Sequence, residues 1–280
     1  SGSYEALVAE YLESKRLGKT ALIVAITWKE IEGITEFLRG ALKASGDLGM
    51  RETPVSVLAS LQWTEAQRRL FENYRPGMCL QFHRSTAKVL QGETLSVKRC
   101  DSGGVIVARR DGTEVRIGRK QSGCFDVMTE RSLPIAAGDV LWIRANCAPA
   151  KLYNGQIVSV REVCPDGRIH LQCGRSIPPE FRVFTHGYAV TSYAAQGKTV
   201  DHVYVAMSTE SLMAANYKQF YVSVSRGREK VRVFSDDLET LRGVVMRDGN
   251  RAAAVELVGK APRSAIPVTY TAQSRRKVVC

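Results

Sequence analysis

Apolar positions in the opening segment recur at a helical interval. Tyr4, Leu7, Val8, Tyr11 and Leu12 fall at i, i+3, i+4, i+7 and i+8, which predicts an amphipathic helix ending near Gly18. Residues 21–26 are then an unbroken apolar run, the pattern of a strand covered on both faces and therefore of a parallel sheet. Thr27 and Glu30 have the spacing of a capping box, and Ile31, Ile34, Leu38 and Leu42 give the helix it opens a buried stripe. A short strand over 55–59 follows, and a second Thr-x-x-Gln box at Thr64 and Gln67 opens a helix over 66–72.

From about residue 76 the texture changes. Gly and Pro punctuate short stretches of Val, Ile and Leu, and no helical period persists, so strands are predicted at 95–97, 105–107, 115–117, 140–143, 157–163 and 169–171. Asp111-Gly112 and Asp166-Gly167 are hairpin-type turns, and the even spacing suggests one or two small barrels. Alternation of strand and helix returns with strands at 188–191, 203–206 and 231–234 and a helix around 214–222. A last helix carries Leu238, Leu241 and Val245, capped by Asp236 with Glu239. The expectation is an α/β fold. Its parallel sheet draws on residues 1–75 and 183–259, a β-barrel-rich insert occupies 76–182, and a basic tail with Arg275-Arg276-Lys277 occupies 260–280.

Composition narrows the partners. Forty Lys and Arg against 28 Asp and Glu give a formal charge of +12, which suits a protein that meets a polyanion, nucleic acid first. No apolar stretch approaches the roughly 18 residues of a membrane span and no secretory signal profile opens the chain, so no membrane partner and a cytoplasmic location are expected. Ser1-Gly2-Ser3 in place of an initiator Met reads as a scar left when a segment is excised from a longer chain. Seven cysteines without a Cys-x-x-Cys pair argue against a disulfide framework. Cys164, His170 and Cys173 come nearest to a metal-ligand set. Pro165-Asp166-Gly167 reads as the turn between two strands, so incidental placement on a hairpin is favoured over zinc and no metal site is expected.

Two Gly-Lys-Thr triplets, at 18–20 and 197–199, invite a phosphate-binding loop. That loop needs a preceding strand, a Gly five residues before the Gly-Lys pair and a helix opening at the Lys, so that backbone N–H groups wrap the phosphates. Position 13 is Glu, position 192 is Ser, and Gly18 sits before a strand. Neither triplet qualifies.

The informative segments are 186–203, His-Gly-Tyr-Ala-Val-Thr-Ser-Tyr-Ala-Ala-Gln-Gly-Lys-Thr-Val-Asp-His-Val, and 221–229, Tyr-Val-Ser-Val-Ser-Arg-Gly-Arg-Glu. The first resembles motif V of superfamily 1 helicases, a strand running into Thr and then a turn ending in Gln-Gly. The second resembles motif VI, in which a Ser or Thr precedes the arginine finger. Together with residues 21–27, 63–67, 81–83 and 151–155, they make the chain over 4–240 similar to the helicase portion of relaxase–helicases that process plasmid DNA in conjugation.

The resemblance implies the second of two RecA-like domains that sandwich ATP and Mg2+ and walk along single-stranded DNA, with the first domain of the same polypeptide as partner. It implies that Arg226 is the arginine finger, that Gln196 and Gly197 couple nucleotide to DNA, and that Thr191, Ser192 and Tyr193 contact the DNA strand. Tyr193 stands where many members have His, and Thr199 replaces a frequent Glu. Arg228 reads equally as a solvated charge or a second phosphate ligand, Thr27 as a helix cap, and 153–155 as a plain turn. In 5′-to-3′ members the β insert lies near the duplex junction. Two functions follow: the motor half of a DNA helicase, conjugative or a RecD-type exonuclease subunit, and a non-catalytic module that keeps only a grip on single strands. Retention of Arg226 and Gln196 favours the motor.

Overall fold

The computed structural model describes residues 2–212 and 217–245. The chain opens with α1 (Gly2–Arg16), β1 (Ala21–Ala25) and α2 (Trp28–Ala44). Next come β2 (Glu52–Ser60), the four-residue α3 (Glu65–Arg68), a 3-10 turn at Phe71–Asn73 and β3 (Cys79–Phe82). An all-β stretch follows: β4 (Thr94–Asp101), β5 (Gly104–Ala108), β6 (Glu114–Ile117), β7 (Phe125–Ala136) and β8 (Val140–Ile143). It continues through β9 (Ile157–Val163), β10 (Ile169–Leu171), β11 (Ser176–Ile177) and β12 (Phe184–His186). The chain then runs through β13 (Ala189–Thr191), α4 (Ser192–Ala195), β14 (Val200–Ala206) and α5 (Thr209–Leu212), to α6 (Tyr217–Val224), β15 (Gly227–Phe234) and α7 (Leu238–Val245). Two compact units result. Among the described residues, one joins the chain up to Gly40 to the chain from Tyr188 onward, and the other is Ala41–Gly187.

The first unit is built on a four-stranded parallel sheet in the order β13-β1-β14-β15. Its centre is the apolar run that predicted it: Ile23, Val24 and Ala25 of β1 and Val203, Tyr204 and Val205 of β14 are fully buried. α1 buries Leu7 and Val8, and α2 buries Ile31, Ile34 and Leu38, as their periods require. The Thr27 cap is present, its Oγ1 accepting from the Glu30 N–H at 3.3 Å. The buried Glu30 carboxylate accepts from the amides of Ile26 and Ser208 and so ties the ends of β1 and β14 together. At the opposite end, the Thr20 amide and hydroxyl both donate to Asp201 Oδ2, at 2.9 and 2.6 Å, and the Asp201 amide donates back to Thr20 Oγ1 at 2.9 Å. The last helix is capped by Asp237, whose Oδ1 accepts from the Thr240 amide; the expected cap, Asp236, instead accepts from Thr209. The basic tail expected at 260–280 lies outside the described residues.

The second unit holds two antiparallel sheets, in the orders β2-β7-β3-β4-β5-β6 and β11-β10-β9-β8-β12. All six strands predicted for the insert are present. The longest strand, β7, had no period to announce it: Asp126, Thr129, Glu130, Arg131 and Ser132 interrupt its apolar positions. It is a spine shared by both cores. Phe125 and Val127 pack with Leu80, Leu95 and Val107, whereas Ile135 packs with Val57, Leu141, Val160 and Phe184. Pro54 and Pro134 face each other in the β2–β7 ladder, so the two missing N–H groups fall on one rung. At the turn into β8, Gly138 has φ +93° and a Cβ there would lie 2.8 Å from the Asp47 carbonyl oxygen.

One boundary differs from expectation. The strand expected at 55–59 to belong with the α/β segment is β2, and it pairs along nine rungs with β7. Residues 41–75 therefore go with the β unit. A lone β-branched strand after a helix reads as α/β, and only its distant partner decides otherwise.

Two outcomes test this architecture. Ile23→Ala removes a fully buried side chain from the central strand and should lower unfolding free energy by about 2–5 kcal/mol, read as a shift in urea midpoint. The Thr20 hydroxyl first, then the Thr20 amide and the charges of Arg228 and Lys19, hold the Asp201 carboxyl below its usual range. A depressed carboxyl stabilises the fold above its unfolded pKa and loses that contribution as pH falls through its folded pKa. Wild type should exceed Asp201→Asn in stability at neutral pH, with the gap closing below about pH 4.

Candidate functional site

The two segments singled out in the sequence form adjoining parts of the first unit. β13 runs parallel to β1 with Thr191 beside Ala25, which places Thr191 at the carboxyl edge of the sheet. The connection over 192–199 then carries the chain back to the amino edge, where Val200 opens β14. At that edge the Val200 amide donates to the Arg226 carbonyl at 3.0 Å, and Gly227 pairs with Val200. α4 packs against α6, the helix that leads into Arg226.

Thr191 acts as the N-cap of α4: its hydroxyl accepts from the Ala194 amide at 3.3 Å, which answers one of the unpaired donors of that helix start. Ser192, expected to contact DNA, is only 3% exposed, so its hydroxyl does not present to a strand lying on the surface. Tyr193 is 74% exposed and is the group that this turn offers outward. α4 ends at Gln196, exposed and extended, whose amide donates to the Tyr193 carbonyl at 3.2 Å. Gly197 follows at φ +79° with open space where a Cβ would be, so backbone conformation rather than crowding selects glycine. Lys198 is half-buried, and that burial pushes its ammonium below the ordinary lysine range.

Arg226 sits just past the last turn of α6, folded back on it. Its Nε donates to the Val222 carbonyl at 2.9 Å and to Ser225 Oγ at 3.2 Å, and Nη2 donates to Ser225 Oγ at 2.7 Å. The carbonyl end of a helix favours a cation, and among the described residues the guanidinium's partners are a carbonyl and a hydroxyl. Ser223 is fully buried and donates to the Gln219 carbonyl at 2.8 Å. Arg228, one residue into β15, reaches Asp201 Oδ1 at 3.6 Å as an exposed pair.

Thr27 is a helix cap, as read. Residues 153–156 form a turn in which the Gln156 amide donates to the Tyr153 carbonyl at 3.1 Å and the Tyr153 ring is exposed. Both Gly-Lys-Thr triplets run into strands, β1 and β14, rather than into helices. Lys19 pairs with Glu229 at 2.8 Å, and Thr20 is taken up by Asp201. Sequence reasoning missed that Thr20–Asp201 clamp. The residues stand 181 apart, and no local pattern joins them.

Comparison with known proteins bears on the same stretch. No curated protein matches the chain. Among solved structures it is similar to a Pif1 helicase from a complex unwinding forked double-stranded DNA, at 14% identity and a TM-score of 0.36, covering 78% of this chain and 39% of that one. It is also similar to Pif1 helicase from Bacteroides in complex with ADP-AlF3 and single-stranded DNA, at 14% identity and a TM-score of 0.24, covering 78% and 40%. Pif1 helicase from Candida albicans follows at 11% identity and a TM-score of 0.27, covering 80% and 48%. The chain thus spans less than half the length of these helicase chains. Residues 186–234 match the UvrD-like helicase C-terminal domain, and the segments carrying Thr191, Tyr193, Gln196, Gly197 and Arg226 all lie inside that match.

Proposed function

We propose that this chain is the second, DNA-gripping half of an ATP-driven superfamily 1 DNA helicase. One observation carries the reading. Thr191, expected to meet DNA, and the backbone of Arg226, expected to meet nucleotide, lie at opposite edges of one sheet, with Gln196 and Gly197 in the eight-residue connection between Thr191 and Val200, whose amide bonds the Arg226 carbonyl. A motor needs its two ligands near one rigid element so that a change at one is felt at the other. The helicase-type match over 186–234 and the charge of +12 support the same reading.

In this reading ATP and Mg2+ are held by the first RecA-like domain of the same polypeptide, because both Gly-Lys-Thr triplets here run into strands. ATP supplies the γ-phosphoryl group whose transfer drives translocation. Arg226 leaves Val222 and Ser225 to reach that phosphate and stabilises its developing charge. Gln196 and the Gly197 amide sit where the chain turns back from the DNA side. Tyr193 offers a ring on which a base stacks, and Thr191 holds α4 so that the ring is presented. The finer assignment is a 5′-to-3′ helicase of the conjugative relaxase–helicase type. It rests on the resemblance of residues 21–27, 63–67, 81–83 and 151–155.

The isolated chain should show no DNA-stimulated phosphate release, whereas the full polypeptide should hydrolyse ATP and lose about 10³ to 10⁵ in turnover on Arg226→Ala. Hydrolysis by the isolated chain would overturn the division of labour. Full turnover with Arg226→Ala would show that Arg226 is not the arginine finger and that this half serves the motor only by binding.

Single-stranded DNA should bind the isolated chain without sequence preference and in a salt-sensitive way. About three or four phosphate contacts would give a slope of log affinity against log salt near −2 to −3. In fluorescence anisotropy Tyr193→Ala should weaken binding for every sequence alike by about 1–3 kcal/mol, with Tyr193→Phe close to wild type and Arg226→Ala unchanged. Loss of binding with Arg226→Ala alone would reverse the two edges.

A further inference from the structure

The β9–β10 hairpin carries a side-chain cluster that the helicase reading does not use. Along β9, Val158 and Val160 are buried, and strict alternation would send residue 162 to the same inner face. The ladder breaks that rule. Val160 pairs with Leu171 but Val163 pairs with Ile169, three steps on β9 against two on β10, which is a bulge of one residue. Val163 then packs against the core, and Glu162 and Cys164 turn outward together. On β10, Ile169 and Leu171 are buried, so His170 between them faces out, directly across from Glu162. One carboxylate oxygen, one thiol sulfur and one imidazole nitrogen thereby come within 4.8 Å of one another.

We propose that this face of the hairpin binds a borderline-soft divalent cation, of which Zn2+ is the type, through Cys164, His170 and Glu162. Sulfur, nitrogen and oxygen donors on three protein residues, with water completing a tetrahedron, are a recurrent zinc set. The surroundings organise the ligands. The Cys164 amide donates to the Arg168 carbonyl at 2.8 Å and its carbonyl accepts from the Gly167 amide at 3.0 Å, which fixes the backbone that aims the thiol. His170 Nδ1 bonds Ser176 Oγ at 2.7 Å, an outer partner that holds the ring. Arg161 Nη2 lies 3.1 Å from Glu162 Oε1, an exposed pair of the kind that contributes little and that a divalent cation displaces. The set differs from the one the sequence brought to mind. Cys173 is not a member, because its sulfur accepts from Arg175 Nε at 3.2 Å, and Glu162 takes its place.

Cobalt titration of the full chain under reducing conditions tests the site, since Co2+ on a thiolate gives a near-ultraviolet charge-transfer band. The expected result is a band saturating at one ion per chain and displaced by Zn2+. Cys164→Ser should abolish it, His170→Ala should weaken binding, and Cys173→Ser should leave it unchanged. Ser176→Ala, which removes only the group holding the ring, should weaken Zn2+ binding by about tenfold. Circular dichroism of each variant separates loss of the site from loss of the fold. Absence of the band in folded wild type, or its survival in folded Cys164→Ser, would overturn the proposal.

Discussion

The site depends on β1. β13 and β14, the strands on either side of the 192–199 connection, do not bond to each other in the sheet; each bonds to one edge of Ala21–Ala25. Five residues near the start of the chain therefore set the spacing and direction of two strands that lie more than 160 positions later. This is why β1 is apolar on both faces and why Ile23 and Val24 are fully buried. The Thr20–Asp201 clamp below the strand and the Glu30 bonds to Ile26 and Ser208 above it fix the register from both ends. A slip there would move Thr191 and Val200 together with it.

A parallel sheet has two chemically different edges, and the candidate residues divide between them. The turn at Thr191 leaves the carboxyl edge, where chains depart from strands and ligands commonly bind in α/β folds. Val200, Gly227 and the Arg226 carbonyl gather at the amino edge. The span from one edge to the other is covered by a helix of one turn and the extended residues after Gly197. So short a connection has few internal degrees of freedom. Tyr193 and Gln196 are joined through α4, whose start is pinned by the Thr191 cap and whose end is closed by the bond from the Gln196 amide to the Tyr193 carbonyl.

What was legible in the sequence was local. The Thr27 cap, the capping box at Thr64, the Asp-Gly turns and the apolar strands of the insert each carry their signal within a few residues, and each is present, although Glu30 turns its carboxylate to Ile26 and Ser208 rather than back to Thr27. What was not legible was set by distant partners. β7 alternates too poorly to be read, because its two halves serve different cores and its middle residues belong to neither. β2 was given to the α/β unit because its partner lies some seventy residues on. The site divides in the same way. Tyr193 stands exposed, whereas Ser192 follows the cap inward, a difference between neighbours that motif spacing does not encode. In the β9–β10 hairpin a single bulge reverses the inward-outward sense of Glu162, and a bulge is visible only in the pairing.

The resting position of Arg226 follows from helix chemistry. Its charged N–H groups donate to a neutral carbonyl and a neutral hydroxyl, whereas an anionic acceptor would bring charge to both sides of the bond. Among the described residues the guanidinium is held by Val222 and Ser225, and a phosphate would offer two charged oxygens that match its fork geometry. Lysine at this position would keep the charge but lose the fork, since an ammonium cannot bond two oxygens of one phosphate in a single plane. In the proposed reading, the same fork that now meets Val222 and Ser225 is the one that would meet two oxygens of a phosphate.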